Sequence, residues 1–267
     1  MALFPLLESA QNPKIKQVLE LTDKPKERRD ARLFAVEGFR EVSMALSAGF
    51  EPHTLFYLPR LHPQPEEEFS LPSGIPCYPV SPTVYSKIAY RDNTEGILAI
   101  MHQRQTDIAQ LSLTGHPLIL VAEAIEKPGN IGALLRTAEA AQIDAVLVCD
   151  PLCDLYNPNL IRASLGALFN LRVVACPSTE AVVWLQQQGI DIYAATLQDS
   201  IPYYQPDYKT GCAFVVGSEA QGLSPVWRKG AKACIHIPMG GAVDSLNVSV
   251  SAAILVFEAV RQRTCGV

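Results

Sequence analysis

The sequence predicts an α/β chain in two parts, a small mixed α/β module followed by a doubly wound parallel sheet. Three observations carry this reading. From about residue 113, apolar strand-like runs alternate regularly with helical segments. Those runs are continuous in apolar residues, as strands covered on both faces are. Before about residue 105 the texture is irregular, with eight prolines from Pro52 to Pro82. A length of 267 residues suits two cores, and we divide the chain into residues 1–105 and 106–267.

In the first part, residues 13–21 and 40–48 have helical spacing, and HTLFYL and GILAIMH read as strands. The prolines at 52, 59, 63, 65, 72, 76, 79 and 82 exclude long helices and predict short strands joined by turns. In the second part PLILVAEAI, AVLVCD, LRVVAC, IDIYAATL, CAFVVGSE and CIHIPM read as strands. IGALLRTAEAAQ, NLIRASLGALF, TEAVVWLQQQ and VSVSAAILVFEAVRQR read as helices.

Composition removes several classes of function. Hydrophobic residues at 48% and charged residues at 18% exclude a disordered chain. No apolar run reaches the ~18 residues a membrane span needs, and the N-terminus lacks the basic region of a signal peptide, so a cytoplasmic protein without a membrane partner is expected. Seven cysteines without a Cys-x-x-Cys pair read as reduced, buried small hydrophobes. Five scattered histidines have no ligand spacing, so no metal is expected. The net charge of −5 argues against nucleic-acid binding by bulk electrostatics. Residues 12–41 nevertheless hold eight basic side chains against six acidic ones, and charge alone reads them as a solvated helical face.

Ligands of a doubly wound sheet bind beyond the carboxyl ends of its strands. Three loops stand there. In EAIEKPGNIGALLRTAEAA, a tight Pro128-Gly129-Asn130 turn precedes a helix that carries Arg136 less than two turns in. Its N-terminus offers N–H groups to an anion, whereas the bland reading makes Asn130 an N-cap and Arg136 a solvent-facing helix residue. In FVVGSEAQGLSPVW, Glu219 follows a buried strand, either to accept bonds from a hydroxyl or an arginine or only to orient its loop. In IPMGGAVDSLNVSVSAAILVFEA, Ser245 and Asn247 stand where the last helix begins, and either is a good cap.

Taken together, Asn130 with Arg136, then Gly-Ser-Glu-x-x-Gly-Leu, then Ile-Pro-Met with Ser-Leu-Asn-Val-Ser-Val resemble the three motifs of the SpoU (TrmH-type) RNA ribose 2′-O-methyltransferases of the SPOUT superfamily. The resemblance covers about residues 113–263, with Ala220 where the family usually has glycine. NPKIKQVLEL, RLFAVEGFREVSMAL and TEGILAI resemble, more loosely, the auxiliary RNA-binding domain of that family.

The resemblance implies a parallel sheet whose C-terminal segment is threaded as a deep trefoil knot, which no sequence pattern suggests. It implies S-adenosyl-L-methionine held in a bent shape, largely by backbone, at Leu197, Gly217, Ile237 and Leu246. It implies a homodimer completing each site across its interface, with the apolar residues 248–260 in that surface, and methyl transfer to a ribose 2′-oxygen of structured RNA, ribosomal RNA first and transfer RNA second. The family's proposal gives removal of the 2′-hydroxyl proton to Arg136; because arginine is a poor base, we prefer a role in which Arg136 binds the target phosphate or the developing alkoxide instead. Glu219 and Asn130 hold it and the ribose, and Ser245 and Asn247 shape the pocket. Lys14, Arg28, Arg29, Arg32 and Arg40 become RNA phosphate contacts, with Phe34 and Phe39 in the core. DNA is not expected. A catalytically silent RNA-binding protein has no need of the whole constellation, and a Rossmann oxidoreductase lacks its glycine fingerprint.

Overall fold

Proline blocks a helix interior but suits its first turn, where the N–H has no partner. Seven helices among the described residues begin that way. The computed structural model describes residues 4–90, 95–218, 221–241 and 245–264. The chain forms two compact units, one of Met1–Arg104 with Asp154–Asn170 and one of Gln105–Cys153 with Leu171–Val267.

In the first unit α1 (Pro13–Asp23) and α2 (Pro25–Ala31) lead to β1 (Leu33–Glu37), α3 (Phe39–Ser47) and β2 (Pro52–Tyr57). Then come α4 (Pro65–Glu68), β3 (Cys77–Pro79), α5 (Pro82–Ile88) and β4 (Ile97–His102). The sheet order is β1-β4-β2-β3, antiparallel except for β2 with β3. The proline-rich region is thus not strands and turns alone, since Pro65 and Pro82 each open a short helix. One sheet face buries Ile15, Val18, Leu33, Phe56, Tyr85 and Ile100. Phe34 points the other way by strand alternation and meets Tyr156 at 4.4 Å and Phe169 at 6.2 Å between ring centroids.

Those last two residues lie on Asp154–Asn170, which the alternation pattern reads as part of the second half but which belongs to the first unit. It holds α7 (Pro158–Ser164) and α8 (Ala167–Asn170), so the helix expected over NLIRASLGALF is broken in two. The break is at Leu165 and Gly166, both with left-handed φ, and a Cβ on Gly166 would stand 2.7 Å from Met44 Sδ.

Arg28 corrects the reading of the basic segment. It is 1% exposed, with Nε 2.5 Å from Asp154 Oδ2 and its Nη1 donating to the carbonyls of Leu21 at 2.7 Å and Thr22 at 2.9 Å. No face of it remains for an RNA phosphate. Removing one partner of a buried ion pair leaves the other charge uncompensated, so Arg28→Met is expected to lower stability by about 3–5 kcal/mol. Calorimetry checks this against Arg28→Met/Asp154→Asn, which should recover part of the loss; an unaltered melting temperature in the single variant refutes it.

In the second unit β5 (Leu118–Glu123), α6 (Pro128–Ala140) and β6 (Ala145–Cys149) precede β7 (Val173–Cys176) and α9 (Ser178–Gln187). β8 (Asp191–Ala195), β9 (Ile201–Pro202), β10 (Cys212–Val216), α10 (Pro225–Gly230), β11 (Ala233–His236) and α11 (Val248–Thr264) follow. The seven strands are all parallel, in the order β7-β6-β5-β10-β8-β11-β9. Every residue of β5, β6 and β10 is buried, which is why their sequences read as unbroken apolar runs. Arg263 fastens the end of α11 by donating to the carbonyls of Tyr208 at 2.9 Å, His116 at 2.8 Å and Thr210 at 2.6 Å. The described cysteines form no disulfide, and burial pushes the Cys77 thiol up to about 12 and the Cys212 thiol up to about 11. Among the described residues no helix is long and apolar enough to cross a membrane.

Candidate active site

Strands β10, β8 and β11 are consecutive in the sheet, so the loops beyond their carboxyl ends meet. Residues 195–198 after β8, 216–218 and 221–223 after β10, and 245, 246, 248 and 251 at the start of α11 line a cavity of about 400 Å³. A second cavity of about 170 Å³ shares Leu197, Ser245 and Leu246 and adds Ile235, His236, Ile237 and Met239. The combined walls are mostly apolar side chains and glycine, with a few hydroxyls and amides, His236 and Arg228, the make-up of a small-molecule pocket.

Gly217 shapes this space. A Cβ there would lie 2.4 Å from the Gly222 carbonyl oxygen and 2.8 Å from the Leu223 nitrogen, so the loop closes on itself only around a bare backbone. Gly222 donates its N–H to the Ser218 carbonyl at 2.9 Å and sits at φ +67°, which completes the turn.

The four positions linked by resemblance to the methyl donor fall in these walls. Leu197, 65% exposed, and Leu246 line both cavities, Gly217 the larger and Ile237 the smaller. Ser245 lines both. Asn247 caps α11, its Oδ1 accepting from the Ser249 N–H at 3.0 Å and the Ser249 hydroxyl at 2.6 Å. Its Nδ2 donates to Asn130 Oδ1 at 3.2 Å, which joins the first loop to the third.

The first loop differs from its sequence reading. Pro128, Gly129 and Asn130 form the first turn of α6 rather than a turn before it, and Lys127, not Asn130, holds the cap position. Arg136 therefore lies more than two turns in, exposed, with no hydrogen bond or ion pair among the described residues, and it lines neither cavity. Glu219 and Ala220 fall outside the described residues.

In the first unit Lys14, Arg29, Arg32 and Arg40 are exposed, and Lys14 Nζ stands 4.5 Å from the centroid of the Tyr78 ring. Phe34 is buried, but Phe39 is 42% exposed against Phe69 and His62, a correction to its core assignment. Sequence reasoning also passed over Thr196, Gln198, Gln221 and Arg228 in the cavity wall, where Arg228 Nη1 donates to Gln198 Oε1. No motif or spacing marked them.

Residues 117–257 match the model of the SpoU rRNA Methylase family, and residues 12–99 that of the MRM3-like substrate binding domain. The chain is 32% identical to the 23S rRNA (guanosine(2553)-2'-O)-methyltransferase RlmP of Bacillus subtilis (strain 168), over 94% of this chain and 97% of that protein. Among solved structures it resembles an RNA 2'-O ribose methyltransferase, with TM-score 0.82, 37% identity and coverage of 97% and 99%. It also resembles an AdoMet-bound rRNA methyltransferase from Sinorhizobium meliloti, with TM-score 0.90, 27% identity and coverage of 97% and 98%.

Proposed function

As the chain belongs to the SpoU rRNA methylase family, we propose that it transfers a methyl group from S-adenosyl-L-methionine to a ribose 2′-hydroxyl of ribosomal RNA, working in the cytoplasm. The observation that carries this reading is the cavity at the ends of β8, β10 and β11, walled by Leu197, Gly217 and Leu246. Its size and its bare-backbone cradle at Gly217 fit the cofactor. Ribosomal RNA is favoured over transfer RNA because the similarity to the Bacillus subtilis enzyme runs through both parts of the chain.

Bound S-adenosyl-L-methionine supplies an electrophilic methyl on a sulfonium. The protein's task is to bring a ribose 2′-oxygen into line with it and to stabilise charge on that oxygen as its proton leaves to solvent. We assign the stabilising charge to Arg136 and the holding of the ribose to Asn130, Glu219, Ser245 and Asn247. The Asn130–Asn247 bond supports this grouping. Backbone groups at Leu197, Gly217, Ile237 and Leu246 hold the cofactor within a trefoil-knotted segment. Lys14, Arg29, Arg32 and Arg40, on the unit that matches the substrate-binding model, contact RNA phosphates.

Arg136 lines neither cavity of its own chain, which supports a homodimer in which it serves the partner's cavity. Val250 and Phe257 on α11 are 47% and 46% exposed and lie seven residues apart, on one face, as the core of that interface. Phe257→Asp is accordingly expected to convert a dimer to a monomer at micromolar concentration and to abolish turnover; sedimentation showing an intact dimer speaks against this face.

The function is tested with methyl-labelled S-adenosyl-L-methionine and RNA from cells lacking the protein. The expected product is ribosomal RNA labelled at one ribose and resistant there to alkaline cleavage. Label in transfer RNA, or on a base, overturns the proposal.

A further inference from the structure

One buried carboxylate that the mechanism does not use joins three elements of the catalytic unit. Glu123, the last residue of β5, is 3% exposed. Its Oε1 accepts from the Ser178 hydroxyl at 2.8 Å and from the Ser224 hydroxyl at 2.5 Å, and its Oε2 accepts from the Ser224 N–H at 2.8 Å. Trp227, fully buried, donates its indole N–H to the Ser178 oxygen at 3.1 Å. Burying a carboxylate is costly unless its oxygens are satisfied, and here three donors converge on it.

The location of those donors gives the carboxylate its role. Ser178 opens α9, away from the cavity. Ser224 stands before α10, yet its side chain caps no helix N–H and goes to Glu123 instead. The residue before it is Leu223, which lines the cavity, and the Leu223 nitrogen is one of the atoms pressed against Gly217. The cavity-lining residues Gln221–Leu223 are therefore held against Gly217, just beyond β10, on one side and anchored through Ser224 to Glu123 on the other. Two acceptor oxygens are needed for this set of donors, and an amide side chain has one.

We propose that Glu123 is a positioning residue for the S-adenosyl-L-methionine cavity, holding Gly222 and Leu223 against Gly217 through Ser224. This rests on the cofactor reading given above. Glu123 does not touch the cofactor; it acts through those residues.

The test compares Glu123→Gln, Ser224→Ala and Ser178→Ala in the full chain by calorimetric titration with S-adenosyl-L-methionine, alongside circular dichroism and melting. Glu123→Gln keeps the side-chain volume but sets an amide N–H₂ against one set of donors, and its Kd is expected to rise about tenfold. Ser224→Ala should weaken binding about fivefold, and the double variant should fall short of the product of the two effects, because they act through one contact. Ser178→Ala, which removes the donor from α9 and leaves the buried Trp227 indole N–H without its acceptor but keeps both Ser224 bonds, is expected to lower the melting temperature while leaving Kd within about twofold. In turnover, KM for the methyl donor should rise while KM for RNA holds. Should Glu123→Gln not fold, Ser224→Ala with its Ser178→Ala control carries the test. Wild-type Kd in the folded Glu123→Gln or Ser224→Ala protein overturns the proposal. So does a Ser178→Ala protein weakened as much as Ser224→Ala, which makes the carboxylate a general support of the fold. A wild-type protein without affinity for S-adenosyl-L-methionine overturns the cofactor reading itself, an outcome distinct from the other two.

Discussion

Arg136→Ala is expected to cut kcat for methyl transfer by about 10²–10³-fold while S-adenosyl-L-methionine affinity stays within about twofold. Arg136 is exposed on α6, makes no hydrogen bond or ion pair among the described residues, and lines neither cavity. Its loss therefore costs little stability, and a defect in turnover cannot be attributed to unfolding. On the proposed reading Arg136 does not take the 2′-hydroxyl proton but lowers the energy of the charge left behind. Lysine at the same position keeps the charge but not the planar fork, and Arg136→Lys should retain a measurable fraction of the rate. Single-turnover kinetics with ribosomal RNA separate these effects from binding. A normal rate in Arg136→Ala removes the residue from the mechanism, and an Arg136→Lys protein as inactive as Arg136→Ala shows that charge alone is not its contribution.

The strands of the catalytic unit were legible because a strand covered on both faces has no polar residue to place, so LILVA, AVLVC and CAFVV announce themselves as runs. The cavity was legible at Leu197, Gly217, Ile237 and Leu246 only through the resemblance, since a wall made of backbone and small side chains carries no residue type of its own. What escaped depended on distant partners. Arg28 reads as one charge in a solvated run until Asp154, 126 residues away, turns it inward. The segment Asp154–Asn170 has helical spacing, but the surface it covers is set by Phe34, Met44 and Phe50, which no local pattern connects to it. Glu123 is a single acidic letter ending an apolar run, and its worth appears only when Ser178 and Ser224 fold against it. The position of Arg136 was misread by a smaller error, a helix that starts at Pro128 instead of after Asn130.

Gly217→Ala is expected to weaken S-adenosyl-L-methionine binding by about 10²-fold, because forcing a methyl group into a closed contact costs about 1–3 kcal/mol and here the obstruction is main chain. The Cβ would meet the Gly222 carbonyl oxygen at 2.4 Å, and no side chain is available to swing aside. Relief requires Gly222 and Leu223 to move away from Gly217, which displaces a wall of the cavity. A near-normal Kd in the alanine protein would mean that Gly222 and Leu223 stand away from Gly217 in solution. The same variant decides whether Arg136 acts within its own chain or across a dimer. At cofactor concentrations well below its raised Kd Gly217→Ala binds little methyl donor, and Arg136→Ala lacks the charge, so under those conditions each homodimer is nearly inactive. Mixed after denaturation and refolding, they form heterodimers in which one intact cavity faces one intact arginine only if the site is shared between protomers. Activity should then return to about a quarter of the wild-type level, the share of sites so assembled. If each chain uses its own Arg136, every site in the mixture carries a defect, and the mixture stays as inactive as its parents.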